Sequence, residues 1–218
     1  MAIAALWRTT IGKKVAMALT GVILVGFLVS HMISNVLVLV DPSKLDAYGL
    51  WLRSFGPLLW VARAGLLAAV CIHALAAWRL TQAARGARPT RYARHDTQVT
   101  TYASRTMRWG GVLIAVFIVY HLLHYSTGTL HPDFIHGAVG RNLVRGMEET
   151  PVALFYLVTM IAIGAHLWHG VWSVFQTLGA NHPAWNRLRR VIAITLAVVV
   201  AGGFAVIPIA ALLGLLHT

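Results

Sequence analysis

The sequence has one cysteine, Cys71, and only 6 acidic residues in 218. A single thiol excludes an internal disulfide, and with it a Cys-ligated zinc or iron–sulfur cluster of the chain's own. Charged residues are scarce at 11%, where a soluble domain carries about 25%. Apolar residues reach 58% and the mean hydropathy is +0.72. These values exclude a disulfide scaffold, a disordered tail and an ordinary cytosolic enzyme. The length leaves no room for a dinucleotide-binding domain beside several membrane spans, and no internal repeat of the inverted-transporter kind is present. What remains is an all-α bundle of membrane helices.

Apolar runs able to cross about 30 Å of hydrocarbon, roughly 20 residues at 1.5 Å each, occur at 15–40, 57–84, 109–128, 151–178 and 191–216. Pro57 and Pro151 open two of them, where a missing N–H costs little. Pro208 interrupts the fifth and is expected to kink it. The first run is too long for a signal peptide and carries His31 and Asn35 in its distal half, so it is expected to be retained. Residues 1–218 are expected to form one transmembrane domain.

The connections alternate in charge. Arg8, Lys13 and Lys14 precede the first span. Arg79, Arg85, Arg88, Arg91, Arg94, Arg105 and Arg108 join the second to the third, and Arg187, Arg189 and Arg190 precede the fifth. The opposite side has Lys44, Arg53, Arg141 and Arg145, together with Asp41, Asp46, Asp133, Glu148 and Glu149. By the positive-inside rule the N-terminus faces the cytoplasm and the C-terminus the outside. The net charge of +12 is thereby explained without a nucleic-acid partner. The longest connections, at 82–108 and 129–150, are too short to fold a catalytic domain. Chemistry on a soluble substrate would therefore fall to another subunit.

Of 11 histidines, His31, His73, His121, His124, His166 and His169 fall inside spans, while His95, His131, His136, His182 and His217 do not. An ionisable side chain at membrane depth is a functional candidate. His31 lies 17 residues beyond Lys14, roughly 25 Å from the inner face, and His121 sits roughly 20 Å beyond Arg108. His73 and His166 are roughly 24 and 22 Å from the outer face. Two levels result, each with histidines from two helices.

Two imidazoles from facing helices in an apolar slot suit haem iron with both axial positions filled. Zinc would need four ligands at one level, and the spans offer no acid. With no open coordination position, the expected role is electron transfer through two haems. His121/His124 and His166/His169 are i, i+3 pairs on shared helix faces, and depth alone does not choose the ligand within either pair.

The chain resembles the cytochrome b subunit of succinate:quinone oxidoreductases and fumarate reductases, in the single-subunit, five-helix, dihaem branch (the cytochrome b558 type). The resemblance rests on IGKKVAMALTGVILVGFLVSHMISN, LDAYGLWLRS, CIHALAAWRLTQAAR, SRTMRWGGVLIAVFIVYHLLHY and GAHLWHGVWSVFQTLG, in that order. It implies that the ligand following the Arg-x-x-x-x-Gly stretch, here Arg105 to Gly110, is His121. It likewise implies that the ligand preceding the Gly that closes the fourth span, here Gly179, is His166. By the pairing it implies, His31 and His121 hold the outer haem b, and His73 and His166 the inner one. His124 and His169 are then neighbours of the ligands or alternatives to them.

The resemblance further implies a flavoprotein subunit with FAD that oxidises succinate and an iron–sulfur subunit that passes electrons on. This chain would conduct them to a quinone, menaquinone in the dihaem branch, within the bacterial cytoplasmic membrane. Arg79, Arg105 and Arg108 are candidate partners of haem propionates, which a guanidinium bonds in a bidentate way. Asp46, Tyr48, Trp51, Arg53 and His124 are candidates for the quinone site. Gly21, Gly26, Gly111 and Gly170 are positions where a porphyrin could approach the backbone, or where helices pack closely. Two other readings are a haem b subunit of nitrate reductase or hydrogenase, which concentrates its ligands on fewer helices, and a haem-free transporter with a histidine relay.

Overall fold

Backbone N–H and C=O groups find no water inside a bilayer, so a spanning segment satisfies them within its own helix. The computed structural model describes residues 7–87 and 102–216; Arg88, Arg91, Arg94, His95 and His217 lie outside the described residues. Among the described residues the chain is helical, with no strand. Five helices are long and apolar enough to cross a membrane: α1 (Thr10–Val36), α3 (Pro57–Gly86), α4 (Tyr102–His121), α6 (Thr150–Thr177) and α7 (Asn186–Leu212). Two shorter ones, α2 (Pro42–Ser54) and α5 (Val139–Met147), fold within the two connections that the charge reading turns outward.

Helix ends extend past the apolar runs because polar caps and charged turns continue them into the interface. α1 starts at Thr10, where the Thr9 hydroxyl accepts the Gly12 N–H at 2.9 Å. α7 takes Arg187, Arg189 and Arg190 into its first turns, and it runs through Pro208 to Leu212. Arg189 also has a role within the fold. It is buried, its guanidinium lies 4.9 Å from the Trp172 ring, and it donates to the Ala180 carbonyl at 2.9 Å and to the Asn181 and Asn186 side chains. It staples the turn between α6 and α7.

α2 and α5 lie in segments read above as loops. α2 is weakly amphipathic and α5 strongly so, and each takes its position from packing. Asp41 caps α2 by accepting the Ser43 N–H at 2.8 Å, with Pro42 at the first helical position. α5 buries Leu143, Val144 and Met147. The two helices lock together: the Asp46 carboxylate accepts the Gly140 N–H at 2.8 Å, and Arg53 donates to the Gly137 carbonyl at 3.2 Å.

α6 is the centre of the bundle. It packs against α7, α4 and α1, while α3 leans chiefly on α1. The core runs through Tyr156, Met160, Ile163 and Leu167 of α6, Phe117 of α4, and Ala197, Val200 and Ile207 of α7. Hydroxyls within the spans bond back to their own helix, as Thr20 does to the Ala16 carbonyl (2.7 Å) and Thr159 to that of Phe155 (2.9 Å). Trp60, Trp78 and Trp109 stand exposed near helix ends, where interfacial tryptophans gather.

A Cβ on Gly140 would overlap the Pro42 carbonyl, whereas one on Gly65 meets nothing within 4 Å. Gly140→Ala should therefore prise α2 from α5 and cost about 1–3 kcal/mol, read as a lowered melting temperature of the detergent-purified protein. Gly65→Ala, which only improves helix propensity, should leave the melting temperature level or raise it. Equal behaviour of the two variants would refute the α2–α5 contact.

Candidate functional site

The intramembrane histidines meet across helices in two pairs. His73 of α3 faces His166 of α6 with ring centres 6.1 Å apart, and His31 of α1 faces His121 of α4 at 5.8 Å with the rings nearly perpendicular. Among the described residues no group of three or more His, Cys, Asp or Glu side chains is placed to hold a metal ion by itself. Each pair alone can therefore offer only two donors.

Hydrogen bonds to Nδ1 orient the rings. His73 Nδ1 lies 3.0 Å from the Met17 carbonyl and 3.3 Å from the Thr20 hydroxyl. The Thr20 proton is already directed to the Ala16 carbonyl, so Nδ1 carries the proton and donates to both oxygens. That tautomer leaves the Nε2 lone pair available to a metal. His31 Nδ1 lies 3.2 Å from the Asn35 side-chain amide, and its ring stacks on Phe27 at 5.1 Å. His121 Nδ1 lies 3.2 Å from the Tyr156 hydroxyl. His166 differs, because its Nδ1 is buried with no hydrogen-bond partner among the described residues. Small residues flank the inner pair: a Cβ on Gly21 would stand 3.4 Å from the His73 ring and one on Gly111 3.9 Å from that of His166, whereas Gly26 and Gly170 face open space.

The second histidine of each sequence pair takes a different position. His124 lies in a π-helical turn, Leu122–Ser126, that closes α4. It is fully buried, its Nδ1 is 3.3 Å from the same Tyr156 hydroxyl, and its ring stacks at 5.0 Å on His131. His124, His131 and Glu149, with Leu130, Pro132 and Val152, line a cavity of about 420 Å³ at the outer end. His169 is half-buried beyond His166 and has no hydrogen bond to a described residue. His166 also lines a cavity of about 240 Å³ between α4 and α6.

Of the outer-loop candidates, Asp46 and Arg53 are engaged in docking α2 on α5, and Tyr48 and Trp51 pack ring to ring at 5.6 Å. None of these residues lines the outer cavity. Tyr156, His131 and Glu149 were not selected from the sequence. Tyr156 carried a usable signal, since a tyrosine deep in an apolar span needs a partner for its hydroxyl. His131 and Glu149 carried none, because only the fold brings loop and helix start together. Arg63 was also passed over; it lies inside α3 with its guanidinium 4.9 Å from the Trp60 ring.

Charges at the two ends are handled differently. At the outer end Arg141 pairs with Asp133 at 2.5 Å and Arg145 with Glu148 at 2.6 Å. At the inner end Arg79, Arg105 and Arg108 are exposed and have no ion-pair partner among the described residues.

A family model described as "Succinate dehydrogenase/Fumarate reductase transmembrane subunit" matches residues 84–202. No curated protein and no solved structure matches the chain.

The hydrogen bond and charge of Arg141 hold the Asp133 carboxyl below the usual carboxylate range. A depressed folded-state pKa contributes stability that is present above the unfolded value and is lost as the pH falls through the folded one. Asp133→Asn should therefore flatten the fall in melting temperature below about pH 4 while changing little at neutral pH. An acid limb as steep as that of the unaltered protein would show that the pair does not hold the outer connection.

Proposed function

The chain belongs to the succinate dehydrogenase/fumarate reductase transmembrane-subunit family, and from that membership we propose that it anchors the complex and carries electrons through two haems b from an iron–sulfur subunit to a membrane quinone. His31 and His121 would hold the outer haem, and His73 and His166 the inner one. The observation that carries this reading is the meeting of four intramembrane imidazoles in two cross-helix pairs.

The residues fit the cofactor. Ring centres 5.8 and 6.1 Å apart leave room for one metal ion between the imidazoles of each pair. A porphyrin supplies the other four nitrogens, so a two-donor set is sufficient. Nδ1 of His73 is already committed to a carbonyl, the arrangement that metal-bound imidazoles adopt. Haem b held there would supply reversible one-electron transfer.

The chain's own residues do the rest. Helices α1, α3, α4 and α6 exclude water from the slots. Arg79, Arg105 and Arg108, free of acidic partners within the described residues, are assigned to haem propionates and to docking the iron–sulfur and flavoprotein subunits on the cytoplasmic side. Succinate oxidation to fumarate releases two electrons and two protons in the flavoprotein. Reduction of menaquinone to menaquinol takes up two of each at the outer end of this chain.

Haem content and redox difference spectra of the purified complex test the assignment. The unaltered complex should hold two haems b per copy of this chain. His73→Ala and His166→Ala should lose the inner haem, and His31→Ala and His121→Ala the outer one, each abolishing succinate-driven quinone reduction. His124→Ala and His169→Ala should retain both. Loss of a haem from either of these last two, with retention in its neighbour's variant, would reverse the ligand assignment.

A further inference from the structure

α3 meets the bundle unevenly. Its extensive neighbour is α1, and its buried residues are Ala69 and Ala76, with His73 between them. From Gly56 to Ala68 no side chain is buried, and a Cβ on Gly65 meets nothing within 4 Å. The exposed side chains of this stretch include Leu58, Val61 and Leu67, as suits a helix against hydrocarbon. Arg63 breaks the pattern.

A charged side chain within a span normally faces the bundle interior and pairs there, because hydrocarbon solvates it poorly. Arg63 is exposed instead, and no carboxylate among the described residues pairs with it. Helix geometry shows where the charge goes. Trp60 is nine residues before Ala69, about two and a half turns, so it points to the side of α3 turned away from α1. The Arg63 guanidinium lies over that ring, 4.9 Å from its centre, and so is carried on the lipid side. It is also carried outward. Arg63 is six residues past Pro57, about 9 Å along the axis, but a helical side chain leans back toward the N-terminus. Level with Trp60, the guanidinium is only about 5 Å from the start of α3, where hydrocarbon gives way to head groups.

The surroundings at this level fit a lipid head-group layer. Asp46 and Arg53 of α2 are occupied with α5, while Leu50, Trp51 and Phe55 stay exposed, with the Trp51 and Phe55 rings edge to face at 4.9 Å. Aromatic rings gather in that layer. The acids nearest in sequence are spoken for, since Asp41 caps α2 and Asp46 holds α5. Below Trp60, at helical spacing on the same stripe, Ala64, Leu67 and Cys71 are exposed and uncharged, a surface for an acyl chain.

We propose that Arg63, backed by Trp60, binds the phosphodiester of an anionic phospholipid in the leaflet around α2, and that this lipid is the neighbour the first turns of α3 lack within the protein. A guanidinium offers a phosphodiester two parallel N–H donors, and the face of an indole ring holds a guanidinium by cation–π attraction. With no carboxylate to neutralise it, the guanidinium favours a lipid of net negative charge. Haem binding has no part in this contact.

Lipid retention in the purified complex, counted by native mass spectrometry, and its melting temperature with and without added phosphatidylglycerol test the site. The unaltered complex should keep phosphatidylglycerol through a detergent wash, and adding it should raise the melting temperature more than the same amount of phosphatidylcholine does. Arg63→Gln should retain one lipid fewer per copy of this chain, weaken phosphatidylglycerol binding about tenfold and lose most of the thermal gain. Arg63→Lys, which keeps the charge without the parallel donors, should fall between. Trp60→Leu should weaken binding about threefold, and Trp78→Leu, at the other end of α3, should leave it unchanged. All three positions are exposed, so the core stays intact in every variant, and both haem potentials should be unmoved. Retention and thermal gain undiminished in Arg63→Gln overturn the site, and an equal gain with phosphatidylcholine overturns the anionic lipid. A shifted haem potential in Arg63→Gln at unchanged lipid retention also overturns it, giving the guanidinium to a haem propionate.

Discussion

An imidazole at membrane depth has two nitrogens to satisfy and no water to do it, and most of this bundle's arrangement follows from that constraint. One nitrogen of each ring is taken by a neighbouring helix where such a partner exists. His73 binds the Met17 carbonyl and the Thr20 hydroxyl, tying α3 to α1. His121 binds Tyr156, tying α4 to α6. Hydrogen bonds between membrane helices contribute about 0.6 kcal/mol on average, up to about 1.7, so these bonds do not assemble the bundle. Close packing of α6 on α7, α4 and α1 does that. The bonds fix instead which nitrogen of each ring is left over, and the leftover nitrogen is the one that does chemistry. α3 shows the division most clearly, since it leans chiefly on α1 and its registered polar contact to that helix is made by His73.

Features governed by hydropathy and spacing could be read from the sequence. The five spans, the oriented charge and the presence of intramembrane histidines on α1, α3, α4 and α6 all follow from runs of apolar residues and the exceptions within them. Features that depend on tertiary placement could not. α2 and α5 are short and hold together through backbone contacts at Gly140 and Gly137, which leave no periodic trace. Asp46 and Arg53 looked like chemistry because they are charged, and the fold uses them as clasps. Depth left His121 and His124 indistinguishable, because on a regular helix residues three apart share a face. The π-helical turn separates them: one ring faces His31 and the other is buried against His131 and α5.

The two ends of the bundle are built for different neighbours. At the outer end Asp133 pairs with Arg141 and Glu148 with Arg145 of the same connection, while Asp41 and Asp46 accept backbone N–H groups. At the inner end Arg79, Arg105 and Arg108 are exposed without acidic partners among the described residues. An unneutralised basic rim raises the local concentration of acidic surfaces and steers their approach.

The same asymmetry extends to the histidine pairs. The inner pair has one ring anchored by a carbonyl and one with a buried Nδ1 that no described residue meets. Apart from the His73 anchor to α1, its surroundings are small residues and hydrocarbon. The outer pair is connected through the Tyr156 hydroxyl to a second imidazole, that of His124. Ligand hydrogen bonding and burial are among the levers that set the potential of a bound iron, and the two levels differ in both.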